Sequence, residues 1–289
     1  MQSEMAAFFI LMIFIEKVIK IMGLFVKLFD THSQYESYTA DTANFILPNV
    51  SYCIDTPNEV HYNPSTPPTP QHDYVEIGGI KWATMNIGAN SITDTGLYFQ
   101  WGDTQGYTAA QVGKGSGQKA FLWADYKYTT DGNWRGANKY QVADGETDGI
   151  WYDGNGNFIG DNKTVLEPSD DAVTAAWGGN WRMPTKAEFA ALSAAVNTVW
   201  TDSYQGSGVA GIVCTDKTDS SKVLFFPAAG YCSNGIIAEV NYGGHYHTSS
   251  LHDNDTIRNY RLEFYDFDIY WDDDDTRSNG LFVRGILDE

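Results

Sequence analysis

The stretch MPTKAEFAALSAAVN, residues 183–197, predicts the clearest element of regular structure in the chain. Thr185 and Glu188 have the spacing of a capping box, in which each side chain accepts a hydrogen bond from the backbone N–H group of the other residue. Phe189, Leu192 and Val196 recur at helical spacing and would form the apolar face of the helix. The stretch therefore predicts a helix that begins at Thr185 and packs on a core.

A shorter helix and a β-hairpin are predicted on the N-terminal side of this stretch. Two aspartates open residues 170–176, and their charges suit the positive end of a helix dipole. YVEIGGIKWATM, residues 74–85, predicts two strands joined by a turn at Gly78 and Gly79. The side chains expected to point inward from this hairpin are Val75, Ile77, Ile80 and Trp82.

The C-terminal half of the chain is rich in strand-like stretches. VLFFP, residues 223–227, is apolar on both faces and should be a central strand of a sheet. In YRLEF, Leu262 and Phe264 fall on one side, and the polar residues fall on the other. With the loop-dominated interval 102–163, these patterns predict an α+β fold. The predicted strands are GIVCT, KVLFFPA, YRLEF, FDIYW and LFVRGI, at residues 211–215, 222–228, 260–264, 267–271 and 281–286.

Composition and charge limit the class of partner. The chain has 289 residues, 18 Lys and Arg, and a formal net charge of −19. Nucleic acid is excluded as a partner, because phosphate contacts need clustered basic residues. The three cysteines cannot support a disulfide-stapled scaffold, although Cys214 and Cys232 either pair or remain buried thiols. Large aromatic side chains usually pack, so the core is expected to contain Trp82, Trp101, Trp181 and Trp271.

The sequence also suggests how the chain is divided. Residues 1–21 contain the apolar run MAAFFILMIFI, which is too short to span a membrane and lacks the flanks of a signal peptide. We therefore expect a gene-model extension before a natural start at Met22, or a short apolar helix. An N-terminal segment at 22–64 and a Pro-rich linker at 65–72 precede a domain at 73–289.

The sequence gives no sign of catalysis. It lacks a phosphate-binding loop, a His-Glu-x-x-His motif, a Cys-x-x-Cys pair and a nucleophile elbow, so we expect neither an enzyme nor a cofactor. His245 and His247 would share one face of a strand, but two histidines are a weak metal signal. The run Asp272–Asp275 has three interpretations: a calcium site, a solvated acidic loop, or part of a binding face.

Four stretches in order resemble the markers of bacterial and phage domains with a C-type-lectin-like fold, including the Fibrobacter-type major paralogous domain. They are KWATMNIGAN at 81–90, GLYFQWGDT at 96–104, GGNWRMPTKAEF at 178–189 and RSNGLFVRGI at 277–286. The resemblance implies mainly antiparallel sheets with two helices and long loops over residues 73–289. LPNVSYCIDTPNEVHYNP at 47–64 resembles a leader of gut-phage virion proteins, which implies attachment to a virion through the N-terminal segment.

A subset of these lectin-like domains are the variable proteins of diversity-generating retroelements, in which adenines of the gene are randomised. Randomised asparagine codons never produce Lys, Gln, Glu, Met or Trp. Between Asn241 and Asn279 the sequence has no Lys, Gln or Met. Glu263 and Trp271 are exceptions and would be fixed scaffold positions. The resemblance therefore implies a phage protein of gut Bacteroidetes-type hosts, with a variable region at about 241–279.

We thus expect a non-enzymatic binding protein on a virion or cell surface, whose partner is a bacterial surface protein or glycan receptor. A homotrimer would supply the avidity that weak surface binders need. Alternatives are a calcium-dependent carbohydrate-binding lectin, although Glu167-Pro168-Ser169 is only a fragment of a lectin calcium motif, and a structural virion decoration protein. The expected contact residues are His245, His247, His252, Asp255, Arg258, Arg261, Tyr265, Asp268, Tyr270, Asp272, Asp273, Asp274, Asp275 and Ser278.

Overall fold

The computed structural model describes residues 51–56, 59–63 and 72–289. The chain divides into two compact units, residues 1–68 and 69–289. In the first unit, β1 (Ser51–Thr56) and β2 (Glu59–Asn63) form an antiparallel pair. The expected apolar helix at 1–21 and almost all of the linker lie outside the described residues, as do the side chains of β1 and β2.

The second unit is built from short antiparallel strands, two α-helices and long loops. This confirms the predicted α+β class. Its helices are α1 (Ala172–Trp177) and α2 (Lys186–Ala195). Its strands are β3 (Tyr74–Ile77), β4 (Ile80–Asn86), β5 (Trp181–Arg182), β6 (Val196–Thr201), β7 (Gly211–Asp216), β8 (Val223–Pro227), β9 (Tyr231–Ser233), β10 (Ile236–Ala238), β11 (Gly243–His252), β12 (Asp255–Tyr265), β13 (Ile269–Thr276) and β14 (Arg284–Leu287).

Four sheets organise these strands. Their orders are β3-β4-β14-β5, β6-β7-β8, β9-β10 and β11-β12-β13. The predicted hairpin is confirmed: Ile77 pairs with Ile80 across a turn. Gly78 and Gly79 there have φ angles of 62° and 78°, a region that glycine adopts without a Cβ clash.

Helix α2 forms for the predicted local reason. The Glu188 carboxylate accepts a hydrogen bond from the Thr185 N–H at 2.7 Å, and Thr185 Oγ1 accepts one from the Glu188 N–H. Phe189 and Leu192 are fully buried. The helix ends at Ala195, however, so the expectation that Val196 lies on it is wrong. Val196 begins β6 and reaches the core from that strand instead.

Helix α1 confirms the second predicted helix, with a start at Ala172. Asp171 is its N-cap and accepts hydrogen bonds from the N–H groups of Val173 and Thr174, both at 2.9 Å. Its other carboxylate oxygen accepts the Met183 N–H at 2.8 Å. One buried carboxylate therefore links the start of α1 to the segment between β5 and α2.

Three of the four tryptophans expected in the core are buried. Trp82 belongs to one hydrophobic cluster, and Trp101 and Trp181 belong to a second. Trp271 is partly buried and packs against the first cluster. Cys214 and Cys232 are both buried free thiols, so the suggested pairing does not occur. Burial raises the pKa of Cys214 to about 12, which suits an inert packing role.

The prediction of a central strand at VLFFP is wrong. Among the described strands, β8 lies at the edge of its sheet, with β7 as its one neighbour. Side chains cover its other edge: the Arg284 guanidinium donates to the Phe225 carbonyl at 3.0 Å, and the Tyr246 hydroxyl donates to the Pro227 carbonyl at 2.7 Å. Buried polar side chains thus satisfy backbone groups that a further strand would otherwise occupy.

We predict that Thr185→Ala lowers the free energy of unfolding by about 1 kcal/mol, because the N-cap acceptor of α2 is lost. Urea denaturation followed by tryptophan fluorescence measures this change. Thr185→Ser keeps the acceptor and is the matched control. An equal loss in both variants would show that the methyl group matters and the cap does not.

Candidate functional site

The sheet β11-β12-β13 carries most of the residues expected to contact a ligand. His245 pairs with Glu263 across β11 and β12, and Arg261 pairs with Asp273 across β12 and β13. Strand alternation turns Leu262 and Phe264 into the core, where both are fully buried. We call the opposite side of this sheet the outer face. Its members are His245, Arg261, Glu263, Tyr265, Tyr270, Asp273 and Asp275.

A β-bulge sets the direction of the four aspartates. Arg261 pairs with Asp273 but Glu263 pairs with Tyr270, so β13 has one residue more than β12 in this interval. Such a bulge re-aims the side chains that follow it. Asp273 and Asp275 consequently join Arg261 on the outer face. Asp274 points to the other side and pairs with Arg258.

Arg261 is the centre of the outer face. Its guanidinium donates to Asp273 at 2.8 Å, to Asp275 at 2.8 Å and to Glu263 at 2.9 Å, and its side chain is 12% exposed. Burial disfavours its charge, but the three carboxylates outweigh that effect and raise the pKa of Arg261. We call these four residues, with His245 and Glu239, the Arg261 cluster. It ties all three strands together.

His245 belongs to this cluster as a neutral imidazole. Arg261 donates to its Nδ1 at 3.1 Å, so Nδ1 is the acceptor, and Nε2–H donates to the Glu239 carboxylate at 2.8 Å. Burial, reinforced by the charge of Arg261, lowers the pKa of His245 to about 4. His245 therefore stays uncharged at neutral pH, and its two hydrogen bonds link Arg261 to Glu239.

Glu263 is a carboxylate of the cluster whose pKa is raised. Burial, together with the nearby Asp273 carboxylate, raises the pKa of Glu263 to about 7, while the pKa of Asp273 is lowered. Tyr265 donates its hydroxyl to Glu263 at 2.8 Å and also contacts Glu239 at 3.1 Å. The outer face thus contains a group that titrates near neutral pH, a property that is common in functional sites.

An aromatic patch borders the Arg261 cluster. We define it as Tyr242, Tyr265 and Phe267. Phe267 is 71% exposed and Tyr242 is 57% exposed. The rings of Tyr265 and Phe267 stack at 5.3 Å with 5° between their planes, and Tyr242 lies 6.2 Å from Tyr265. Exposed aromatic side chains grouped in this way are typical of binding surfaces.

The fourteen expected contact residues do not form one surface. Those on the outer face or in the turn beside it are Arg261, Tyr265, Asp268, Tyr270, Asp273 and Asp275. Those at the other end of the sheet or on its other side are His252, Asp255, Arg258, Asp272 and Asp274. The buried ones are His247 and Ser278, together with His245, which lies under the outer face as part of the Arg261 cluster and is 1% exposed.

Burial of His247 and Ser278 removes them from the surface. His247 is fully buried: its Nε2 hydrogen-bonds to the Phe99 carbonyl at 3.0 Å, and its Nδ1 to the Asn259 amide at 2.9 Å. The Ser278 carbonyl accepts the buried Gln100 amide at 2.8 Å. His247 is buried because β11 is covered on its outer side as well, by the segment containing Phe99.

A second group of polar residues lies on the side of the sheet that α2 covers. Arg258 pairs with Asp274. The His252 ring lies 4.9 Å from the Tyr260 ring, and Lys186 of α2 lies 3.9 Å above Tyr260. These contacts are local and half-exposed. The group is therefore separate from the Arg261 cluster.

The structure also bears on the three interpretations of Asp272–Asp275. The run lies in strand β13, so the solvated-loop interpretation is wrong. Asp273, Asp274 and Asp275 are engaged by arginines. Among the residues that the structure describes, no group of three or more His, Cys, Asp or Glu could hold a metal ion. The third interpretation, a binding face, stays a prediction; Asp273 and Asp275 lie on the outer face and accept hydrogen bonds from Arg261.

Sequence reasoning missed several members of this site. Glu239, Tyr242 and Phe267 were not among the expected contacts, and Glu263 was expected to be scaffold. Phe267 stands between Asp266 and Asp268, but that pattern alone gave no signal, since Leu262 stands between Arg261 and Glu263 and is fully buried. Glu239 precedes the strand it contacts and gave no local signal.

The chain matches no protein-family model, and it matches neither a curated protein nor a solved structure. Within the part of the chain that the structure describes, the helices are too short or too polar to cross a bilayer.

We predict that Arg261→Ala lowers the free energy of unfolding by about 3–5 kcal/mol, because it leaves half-buried carboxylates without their cation. Arg258→Ala is the matched control: its side chain is 48% exposed, and exposed ion pairs contribute about 1 kcal/mol or less. Urea denaturation of both variants measures the difference. Equal losses would contradict a central role for Arg261.

We predict that His247 makes the fold sensitive to acid. Burial lowers the pKa of His247 from 6.5 to about 3. The neutral form is therefore favoured by folding, and this stability is present above pH 6.5 and lost as the pH falls toward 3. His247→Gln should reduce the slope of unfolding free energy against pH by at most about 1.4 kcal/mol per pH unit.

Urea midpoints between pH 4 and 8 measure this slope. Above pH 7.5 the difference between the parent protein and His247→Gln should be constant, which is the internal control. His245 acts in the same direction and Glu263 in the opposite one, and both are present in the two proteins. Parallel curves down to pH 4 would contradict the prediction.

Proposed function

We propose that this chain is a non-enzymatic binding protein whose C-terminal region displays a ligand face on a C-type-lectin-like domain. The observation that carries the proposal is that the two sides of the sheet β11-β12-β13 differ: one side packs into the core and the other is polar. Its inner side packs Tyr246, Leu262 and Phe264 into the core. On its outer face, Arg261, Glu263 and Asp273 bond to one another. Phe267 and Tyr270, at the edge of this face, are exposed and lie outside both hydrophobic clusters. Exposed positions of this kind can therefore change with little effect on the core.

The positions of the lectin-like sequence markers support the proposed fold. The marker stretches at 81–90, 178–189 and 277–286 meet in one sheet. Ile286 pairs with Trp82 on one side and with Arg182 on the other. The fourth stretch, at 96–104, joins them through a bridge between Phe99 and Leu281. Four stretches that are distant in sequence thus form one structural unit, as a shared fold would require.

The absence of Lys, Gln and Met between Asn241 and Asn279 supports a variable region. The burial of some of these residues limits which of them can face a ligand. Residues 243–251 are buried, whereas residues 252–275 include most of the exposed positions of the region. We therefore propose that β11 is framework and that β12, β13 and the turn between them carry the diversified face. Trp271, which randomised asparagine codons cannot produce, packs against the core, as a fixed position should.

The proposed partner is a bacterial cell-surface protein or glycan receptor. The chain would bind it as part of a phage virion or as a surface-displayed protein. The N-terminal segment at 22–64 would provide attachment. A trimer would raise the avidity of a modest single-site affinity. A calcium-dependent lectin is the less favoured alternative, because arginines already occupy three of the four aspartates in β13.

Binding of fluorescently labelled protein to a panel of gut Bacteroidetes cells, measured by flow cytometry, tests the proposal. We expect binding to at least one strain, no effect of EGTA, and at least a tenfold loss in Tyr265→Ala/Phe267→Ala, since few residues dominate an interface. Tyr74→Ala removes an exposed aromatic residue from β3 and is the matched control. Loss of binding in EGTA would favour the calcium-dependent lectin.

Binding that does not depend on the outer face would favour a decoration protein. The gene neighbourhood gives an independent test. Diversification predicts a near-copy of the 3′ end that differs only at adenines, beside a reverse transcriptase gene. A 3′ end without such a copy would remove the variable-protein part of the proposal and leave the binding face to be judged by the cell assay.

A further inference from the structure

The aromatic patch and the charges around it indicate the chemistry of the partner. Phe267 stands at the tip of the turn between β12 and β13, stacked on Tyr265 and mostly exposed. Its neighbours Asp266 and Asp268 are exposed and form no ion pair with the described residues. Asp268 accepts the Ile269 N–H at 2.9 Å, but neither carboxylate is neutralised by a cation of the described residues. The Phe267 ring and the charge beside it are therefore available to an incoming cation.

The carboxylates outnumber the cations at this end of the sheet. Five carboxylates lie on or beside this end of the sheet. Glu239 and Glu263 accept hydrogen bonds from Tyr265. The other three are Asp266 and Asp268, on either side of Phe267, and Asp273 on the outer face. Among the described residues that contact these carboxylates, Arg261 is the one arginine or lysine, and its donors are already used within the Arg261 cluster. Even with Glu263 protonated, the surface stays negative.

We propose that the aromatic patch binds an arginine- or lysine-bearing segment of a partner protein; this inference rests on the binding function proposed above. An arginine side chain can stack its guanidinium on the exposed face of Phe267. From there it can reach Asp266 or Asp268 in charge-assisted hydrogen bonds. The net charge of −19 adds long-range attraction for a basic partner.

A glycan fits the same surface less well. A neutral sugar can stack on the rings of Tyr265 and Phe267, but it leaves the carboxylate charge uncompensated. A sialylated or sulfated glycan is repelled by that charge. Charge complementarity therefore selects a basic peptide over a carbohydrate as the occupant of the patch.

Fluorescence polarisation with a labelled peptide of alternating arginine and leucine tests this inference. The matched probe replaces every arginine with citrulline, which keeps the shape and removes the charge. We expect saturable binding of the arginine peptide to the full-length chain, and binding of the citrulline peptide that is weaker by about tenfold or more. Affinity for the arginine peptide should fall as salt is raised.

Variants separate the patch from the general negative charge of the chain. Phe267→Ala keeps the charge and should weaken binding about threefold to tenfold. Asp266→Asn/Asp268→Asn should weaken it by a similar factor. The control Glu76→Gln/Glu146→Gln removes two exposed charges, one on β3 and one in the loop before Trp151, and should leave the affinity unchanged.

Three results would overturn the inference. They are equal binding of the arginine and citrulline peptides, absence of saturable binding of the arginine peptide up to about 1 mM, and an equal loss in the control variant. Binding of neutral oligosaccharides that Phe267→Ala abolishes, without peptide binding, would identify a sugar platform instead. If cells are still bound through Tyr265 and Phe267, the proposed function stands and only the partner class fails.

Discussion

The buried guanidinium of Arg284 connects the sheets on which the rest of the domain depends. It donates to the Asn86 side chain at 2.9 Å, to the Ala83 carbonyl at 3.0 Å and to the Phe225 carbonyl at 3.0 Å. It thereby joins β14, β4 and β8. Burial without a partner carboxylate lowers its pKa to about 10, so it remains charged at neutral pH, stabilised by carbonyl oxygens and by the Phe226 ring. Because Arg284 lies in β14 and reaches both Ala83 and Phe225, it links the sheet β3-β4-β14-β5 to the sheet β6-β7-β8.

Local signals in the sequence were sufficient for the elements whose causes are local. The capping box of α2 and the glycine turn between β3 and β4 act over a few residues, and both were predicted. The inward side chains Leu262 and Phe264 followed from alternation alone. The end of α2 was missed because Val196 is apolar in either conformation, and its pairing with Asp216 in β7 decides between them. Tertiary pairing is invisible to a local pattern.

The candidate site was harder to predict for the same physical reason. His247 looks like a surface residue by composition, yet its partners Phe99 and Asn259 are remote or on the next strand, and they bury it. Each nitrogen of Arg261 bonds to a side chain of β11, β12 or β13, and the bulge that aligns Asp273 with Arg261 leaves no trace in the sequence. The residue types predicted which part of the chain would carry the candidate site. The structure was needed to divide those residues into an outer face, a buried layer and a second polar group.

The bulge in β13 also explains why four identical side chains are useful there. A strand with alternating residue types has one acceptable register, since a slip of one residue exchanges its two sides. With aspartate at every position from 272 to 275, a bulge displaced by one residue still offers a carboxylate to Arg261 on one side and to Arg258 on the other. The four aspartates thus keep ion pairs with both arginines when the pairing of this strand shifts by one residue. An insertion or deletion of one residue next to the run would therefore leave these ion pairs in place.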